Sequence, residues 1–133
     1  MQAIEHSIAG NLEGPTVVFV HGWPDDASLW RRQVDVLGAY YRCVLLTLPN
    51  FGEKSEKAGG YDFPELVARI ATTIQKVQPS GRVKLVTHDW GAYLGYLLEQ
   101  SRPELVERMA ALDIGGHLHP VAWKNRLMVM GYQ

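Results

Sequence analysis

Four short apolar runs that alternate with amphipathic segments constrain the fold of this chain more than any other feature. Each run is rich in Val, Leu or Ile and is too short for a buried helix, which favours a strand buried on both faces. Apolar residues at helical spacing lie between the runs. This order predicts an α/β chain with a mostly parallel sheet and helices on both faces, a three-layer α/β/α fold. The predicted strands are Thr16–Val20, 43–48, Val83–His88 and 109–114.

Helix boundaries are also indicated by the residues beside the runs. Side chains that prefer helix N-caps precede the first two predicted helices, and these are Asp25, Asp26 and Ser28 for the first and Asp62 for the second. We expect the first helix to end at Gly38 and a third helix to span residues 90–100. Residues 1–15 leave room for one further strand.

The composition excludes several classes of partner. The chain has 133 residues and a net charge of −1, so it has no basic field that would attract nucleic acid or an anionic membrane. No apolar run approaches the roughly 20 residues that a membrane span needs. Cys43 is the single cysteine, which rules out an internal disulfide. Because the first residues lack a secretory pattern, we expect a cytoplasmic protein.

Candidate site residues are those that follow the strands, because ligands bind beyond the carboxyl ends of parallel strands. Residues 87–91, Thr-His-Asp-Trp-Gly, have the small–x–nucleophile–x–small spacing of a nucleophile elbow. The flanking residues must be small because the turn from strand to helix is tight. Gly91 meets this requirement, while Thr87 is larger than the usual glycine. Asp89 stands at the nucleophile position.

Two motifs in chain order resemble the N-terminal half of the α/β-hydrolases, and most closely the epoxide hydrolase branch. They are His-Gly-Trp-Pro at 21–24 and His-Asp-Trp-Gly at 88–91. Residues 48–55 resemble the family's next loop, with one apparent insertion before the Ser. The resemblance begins near residue 12 and implies the N-terminal portion of an α/β-hydrolase fold. Residues 1–120 would belong to its core and 121–133 to the beginning of its lid.

An aspartate at the elbow indicates the chemistry. A carboxylate that attacks a saturated carbon forms an ester that water can cleave, so Asp89 suits opening of an epoxide or displacement of a halide. The resemblance implies a small-molecule substrate, namely an epoxide that is hydrolysed to a diol through an alkyl-enzyme ester on Asp89. It also implies an oxyanion hole made by the backbone N–H groups of Trp23 and Trp90. This chemistry needs no metal and no organic cofactor.

The same loops are expected to bind the substrate, through His21, Gly22, Trp23, Pro24 and Trp90. Haloalkane dehalogenases usually have Asn where Trp23 stands, which favours epoxides over halides. The two Trp side chains could instead cover the edge of the core. For the ring of His21 we favour a structural role, bonded to backbone at its strand end, and we expect the same of His88.

Other interpretations compete at three positions. Asp89 is also a good N-cap residue for the helix that follows it. Asp113 ends the fourth predicted strand, where some relatives place their catalytic acid, but we favour a loop-anchoring role. His117 and His119, with the two aspartates, could form a metal site, although neither their spacing nor a supporting shell favours it.

The final residues match the family only in part. Tyr132, followed by Gln133, falls where the lid of epoxide hydrolases carries a tyrosine that donates a proton to the opening epoxide. An ordinary amphipathic tyrosine is the alternative. The family's general-base His has no match, so we expect a fragment of a longer hydrolase. A half-domain that self-associates through its exposed sheet edge, or a non-catalytic binding protein on this scaffold, are the alternatives.

Overall fold

A computed structural model of the chain describes residues 1–51 and 58–113. The predicted lid segment 121–133, with Tyr132, lies outside these residues, as do His117 and His119. Two short 3-10 turns accompany the regular elements, at Ala27–Trp30 and Pro103–Leu105. The strands are β1 (Glu5–Gly10), β2 (Thr16–Val20), β3 (Arg42–Thr47), β4 (Val83–His88) and β5 (Val106–Leu112), and the helices are α1 (Arg31–Leu37), α2 (Phe63–Val77) and α3 (Trp90–Ser101).

Within the described residues the strands form one sheet in the order β1-β3-β2-β4-β5. β1 pairs with β3 in the antiparallel sense, and every other pairing is parallel. The prediction of a mostly parallel sheet is therefore confirmed, and β1 occupies the room that residues 1–15 were expected to leave. The carboxyl ends of β2, β3, β4 and β5 meet at one edge of the sheet, which places the candidate loops side by side.

Helices cover both faces of the sheet, as the alternation of runs predicts. On one face Trp30 packs against Phe19 of β2, with 5.3 Å between their ring centroids. On the other face α2 and α3 bury a larger cluster against β2, β3 and β4. α2 is the longest described helix at 15 residues, and no helix in this part of the chain is long and apolar enough to cross a membrane.

The predicted helix boundaries are close to the observed ones. Asp26 accepts a hydrogen bond from the N–H of Ser28 at 2.7 Å and caps the 3-10 turn that leads into α1. Asp62 accepts from the N–H of Glu65 at 2.7 Å and caps α2. Gly38 directly follows α1. Because these preferences are local, the sequence was sufficient to predict them.

The prediction for the last strand was wrong in its bounds. β5 begins at Val106 rather than at 109 and ends at Leu112 rather than at 114. Its early residues include charged side chains such as Glu107, whose carboxylate lies 2.8 Å from Lys84 Nζ on β4. A search for apolar runs misses such an edge strand, since one side of it is exposed. The strand ends where Asp113 adopts a φ of 69°.

Candidate active site

Asp89 lies in a backbone conformation that few residues other than glycine adopt. It connects β4 to α3 with φ 53° and ψ −126°. Its N–H donates to Leu112 O at 3.1 Å, and its own carbonyl accepts from the N–H of Ala92 at 2.8 Å. These bonds hold the tight turn at both ends. Strained residues of this kind cluster at functional sites, and a nucleophile elbow requires one.

The carboxylate of Asp89 does not cap the helix that follows it. It makes no side-chain capping bond to α3, but accepts instead from the backbone N–H of Trp23, 2.9 Å from Oδ2. Asp62 provides an internal comparison, because it has extended backbone (φ −77°, ψ 162°) and does cap α2. The geometry of Asp89 is therefore not that of an N-cap residue. Its side chain faces the loop after β2.

Two glycines allow this close approach. A Cβ built on Gly22 would lie against Asp89 Oδ2, 2.7 Å from Asp89 Cβ and 2.6 Å from Trp90 N. A Cβ built on Gly91 would lie against the carbonyl oxygens of Val20 and His21. Trp90 is the first residue of α3, so its N–H has no partner within the helix. Gly22 thus brings the Asp89 carboxylate, the Trp23 N–H and the Trp90 N–H to one place.

His21 supports this loop from inside the protein. Its ring is fully buried, and Nε2 accepts from the N–H of Leu48 at 2.9 Å. Nδ1 must then carry the proton, which it donates to Gly22 O at 3.0 Å. Desolvation by burial lowers the pKa of His21 and keeps the ring neutral. The expectation that this ring bonds backbone at its strand end is confirmed here.

The same expectation was wrong for His88, whose ring faces two carboxylates. Nε2 lies 3.4 Å from Asp113 Oδ2, and Nδ1 lies 3.8 Å from Asp25 Oδ2. Sequence reasoning considered Asp25 only as an N-cap candidate and Asp113 as a loop anchor. It missed the group of three because the members lie at or beyond the ends of three different strands. The available signal was the position of Asp25. The next residue, Asp26, is the actual N-cap, which leaves the Asp25 carboxylate without a capping role.

Aromatic side chains surround the elbow on its exposed side. Trp90 stacks on Phe63 with 5.5 Å between ring centroids, and Tyr93 meets the same ring edge-on at 5.0 Å. Trp23 is 63% exposed, and Pro24, joined to it by a cis peptide bond, is also exposed. Substrate binding by this set stays a prediction, and the set comprises His21, Gly22, Trp23, Pro24 and Trp90.

The described residues show no metal cluster, and one cavity among them lies away from the elbow. In this part of the chain, no three His, Cys, Asp or Glu side chains are grouped so that they could hold a metal ion. An open cavity of about 280 Å³ lies instead between β1 and α1. Its lining comprises Ser7, Ala27, Ser28, Arg31, Val34, Asp35 and Leu45.

Comparisons with known proteins point to one family. The family profile described as alpha/beta hydrolase fold matches residues 15–132. Epoxide hydrolase srdG of Neurospora crassa is 37% identical over 103 residues, which are 74% of this chain and 30% of that protein. A haloalkane dehalogenase of Mesorhizobium japonicum is 27% identical over 106 residues, 80% of this chain and 34% of that one.

A solved structure agrees with these relatives. The crystal structure of epoxide hydrolase VrEH1 from Vigna radiata superposes with a TM-score of 0.76 and 32% identity, covering 92% of this chain and 42% of the other. The chain therefore spans less than half the length of each of these three proteins.

Proposed function

The chain belongs to the α/β-hydrolase family, and on that premise we propose that it supplies the nucleophile of a hydrolase that opens an epoxide to a diol. One observation carries the proposal. An aspartate occupies the elbow with positive φ, leaves its helix uncapped, and accepts the Trp23 N–H at 2.9 Å. The likeness to epoxide hydrolases over most of this chain supports the choice of substrate class.

The first step is formation of an ester on Asp89. Since the Trp23 N–H holds Oδ2, Oδ1 is the oxygen that attacks an epoxide carbon. The bond between that carbon and the ring oxygen breaks, and the ring oxygen leaves with the electron pair as an alkoxide. The alkoxide takes up a proton to become a hydroxyl group. Tyr132 is our candidate donor of that proton.

The second step is hydrolysis of the ester. Water attacks the carboxyl carbon of Asp89, and the negative charge develops on Oδ2. The backbone N–H of Trp23 already lies at hydrogen-bonding distance from Oδ2, and the N–H of Trp90 is the second proposed donor. Collapse of the tetrahedral intermediate releases the diol and restores the carboxylate. A histidine activates the water in related enzymes, and we find no match for it among the 133 residues.

Intact-mass spectrometry after incubation with styrene oxide tests the proposal. We expect the mass of the purified 133-residue chain to rise by one epoxide and the adduct to persist, because water is not activated to cleave it. Proteolysis and tandem mass spectrometry are expected to locate the ester on Asp89.

Two variants make this result specific. Asp89→Asn removes the nucleophile and is expected to abolish the adduct. Asp62→Asn is the matched control, since it changes the same side chain at the start of another helix and leaves the adduct on Asp89 intact. A wild-type chain that forms no adduct would refute the proposed nucleophile and favour a binding role.

Halide displacement is the second candidate, favoured by the likeness to a haloalkane dehalogenase. The same assay separates the two activities, because a haloalkane adds only its alkyl group after loss of halide. We expect the epoxide to react faster.

Self-association through a sheet edge is a separate proposal. β5 is an edge strand of the described sheet and ends at Leu112, which is 47% exposed. Exposed strand edges pair readily with further strands. Sedimentation of the chain over a range of concentrations tests it, and a monomer throughout would refute it.

A further inference from the structure

We propose that Phe63 is a positioning residue that selects the substrate. It holds the indole of Trp90 beside the nucleophile, and the site thereby favours epoxides that carry an aryl group over epoxides that carry a saturated one. The inference rests on the proposed function of Asp89 and names the class of epoxide that this site takes. It assigns a role to a side chain of α2, a helix that contributes nothing to the ester chemistry.

Three rings from two helices form a closed cluster next to the elbow, which we name the aromatic triad. It consists of Phe63 of α2 with Trp90 and Tyr93 of α3. Phe63 stacks on Trp90 with 5.5 Å between their centroids and 26° between their planes, and it meets Tyr93 edge-on at 5.0 Å. Trp90 and Tyr93 also meet edge-on, at 6.1 Å. Because each ring contacts both others, removal of the Phe63 ring leaves the indole of Trp90 free to turn.

The start of α2 is a firm support for the Phe63 ring. Phe63 is the first residue of this helix and directly follows Asp62, whose carboxylate accepts from the N–H of Glu65 at 2.7 Å. The guanidinium carbon of Arg69 lies 4.8 Å from the ring centroid of Tyr61, which ties the chain just before the cap to the body of α2. Both contacts fix the backbone on either side of Phe63. Its ring can therefore restrict the rotation of the Trp90 indole.

The aromatic triad keeps part of its surface open to a ligand. Phe63 is 38% exposed, Tyr93 is 39% exposed and Trp90 is half-buried. An exposed cluster of large apolar side chains beside a candidate nucleophile indicates a binding surface. Aromatic rings prefer offset-stacked or edge-to-face contacts at about 4.5–7 Å, so an aryl group on the epoxide can join the triad in the same way. A saturated group lacks the ring quadrupole and gains only from the burial of its surface.

The rates at which two matched epoxides alkylate the whole chain test this selection. Styrene oxide and cyclohexyloxirane share one carbon skeleton and differ in whether the six-membered ring is aromatic. Their intrinsic reactivities differ, but that difference is the same for every variant, so a change in the ratio of the two rates reports the site. We expect Phe63→Leu to lower the ratio of styrene oxide to cyclohexyloxirane by roughly 2–10-fold. A merely structural role would slow both reactions equally and leave the ratio unchanged.

Three further variants make the result specific to the aromatic triad. Phe63→Tyr keeps a ring at this position and should retain the wild-type ratio. Tyr93→Leu removes another ring of the triad and should also lower the ratio, which provides a second test should Phe63→Leu fail to fold. Tyr40→Leu is the control, because Tyr40 is 71% exposed between α1 and β3 and takes no part in the triad. It should leave the ratio unchanged.

Binding of the two diols that correspond to these epoxides tests the aromatic triad without requiring reactivity. The probes are styrene glycol and its cyclohexyl counterpart, and the signal is the indole N–H resonance of Trp90 in NMR spectra of the whole chain. The ratio of the two half-saturation concentrations gives the preference for the aryl diol. We expect this preference to be roughly 2–10-fold larger in the wild type than in Phe63→Leu.

The outcomes separate this inference from the proposed function. An epoxide ratio or a diol preference that is the same in the wild type and in Phe63→Leu would overturn the role of Phe63. So would a loss in Phe63→Tyr as large as that in Phe63→Leu. A wild-type chain that forms no adduct with either epoxide would overturn the proposed nucleophile, and the diol titration would then still decide whether the aromatic triad selects an aryl group.

Discussion

Substitution of Gly22 by alanine is the most direct perturbation of the proposed nucleophile. The added Cβ would lie against Asp89 Oδ2, 2.7 Å from Asp89 Cβ and 2.6 Å from Trp90 N. Carbon atoms in favourable contact are about 3.5–4.0 Å apart, so the loop and the elbow must separate by about 1 Å. That movement would break the 2.9 Å hydrogen bond from the Trp23 N–H to Asp89.

The expected loss of reactivity follows from this displacement. A misplacement of about 1 Å can lower a rate by about 100-fold, which corresponds to roughly 2.7 kcal/mol of activation free energy. Overpacking should also lower the free energy of unfolding by about 1–3 kcal/mol. A time course of styrene oxide adduct formation measures the first effect, and urea denaturation measures the second. The two together separate a misplaced carboxylate from an unfolded chain.

Gly95→Ala is the matched control for this experiment. Its Cβ would be 2.8 Å from Met109 Sδ and 3.1 Å from Thr87 Cγ2, so it crowds side-chain atoms, the nearer of which belongs to a flexible side chain. Alanine also favours the helical backbone of α3 by about 1 kcal/mol over glycine. We expect Gly95→Ala to react like the wild type. Wild-type reactivity in Gly22→Ala would refute the argument that Gly22 permits the contact between the loop and the nucleophile.

Substitutions at three further positions test the packing and the electrostatics of the same region. Gly91→Ala places a Cβ against the carbonyl oxygens of Val20 and His21, and should lower the free energy of unfolding in urea by about 1–3 kcal/mol. An unchanged urea midpoint would contradict this. Asp62→Ala removes the 2.7 Å bond to the Glu65 N–H and should cost about 1 kcal/mol of unfolding free energy, most of which Asp62→Asn should recover. Burial lowers the pKa of His21, so the unfolded chain binds this proton at a higher pH than the folded chain. Stability should therefore fall as the pH drops below about 6.5, the ordinary pKa of the group, and urea midpoints at pH 7 and pH 5 should differ less in His21→Gln.

The sequence was a good guide to the elements whose boundaries depend on local preferences. β2 and β4 have the predicted bounds because both are central strands with buried faces, and such strands read as apolar runs. β5 lies at an edge of the described sheet and exposes one side. Its first residues therefore include charged side chains and do not form an apolar run. An apolar run therefore indicates a strand that is buried on both faces, and a strand with one exposed face can lack such a run.

The site divides in the same way between local and distant contacts. The spacing of residues 87–91 was sufficient to select Asp89, because the elbow is a single turn. The bond from the Leu48 N–H to the His21 ring, and the group formed by His88 with Asp25 and Asp113, join loops from different strands. No local pattern encodes such pairs. They appear only when strand order is known.

The strained backbone at Asp89 decides between helix capping and the nucleophilic role that we propose for this residue. An aspartate with extended backbone before a helix turns its carboxylate onto the first N–H groups, as Asp62 does on α2. At Asp89 the positive φ turns the carboxylate away, and the side chain makes no capping bond to α3. The carboxylate is then free to accept from Trp23, and the N–H of Trp90 is left without a side-chain cap. A capping carboxylate would face the N–H groups of α3 and not the loop after β2. The strained turn and the two glycines that accommodate it therefore both direct the carboxylate towards that loop. In the proposed mechanism they convert a residue type that ordinarily stabilises a helix into the nucleophile.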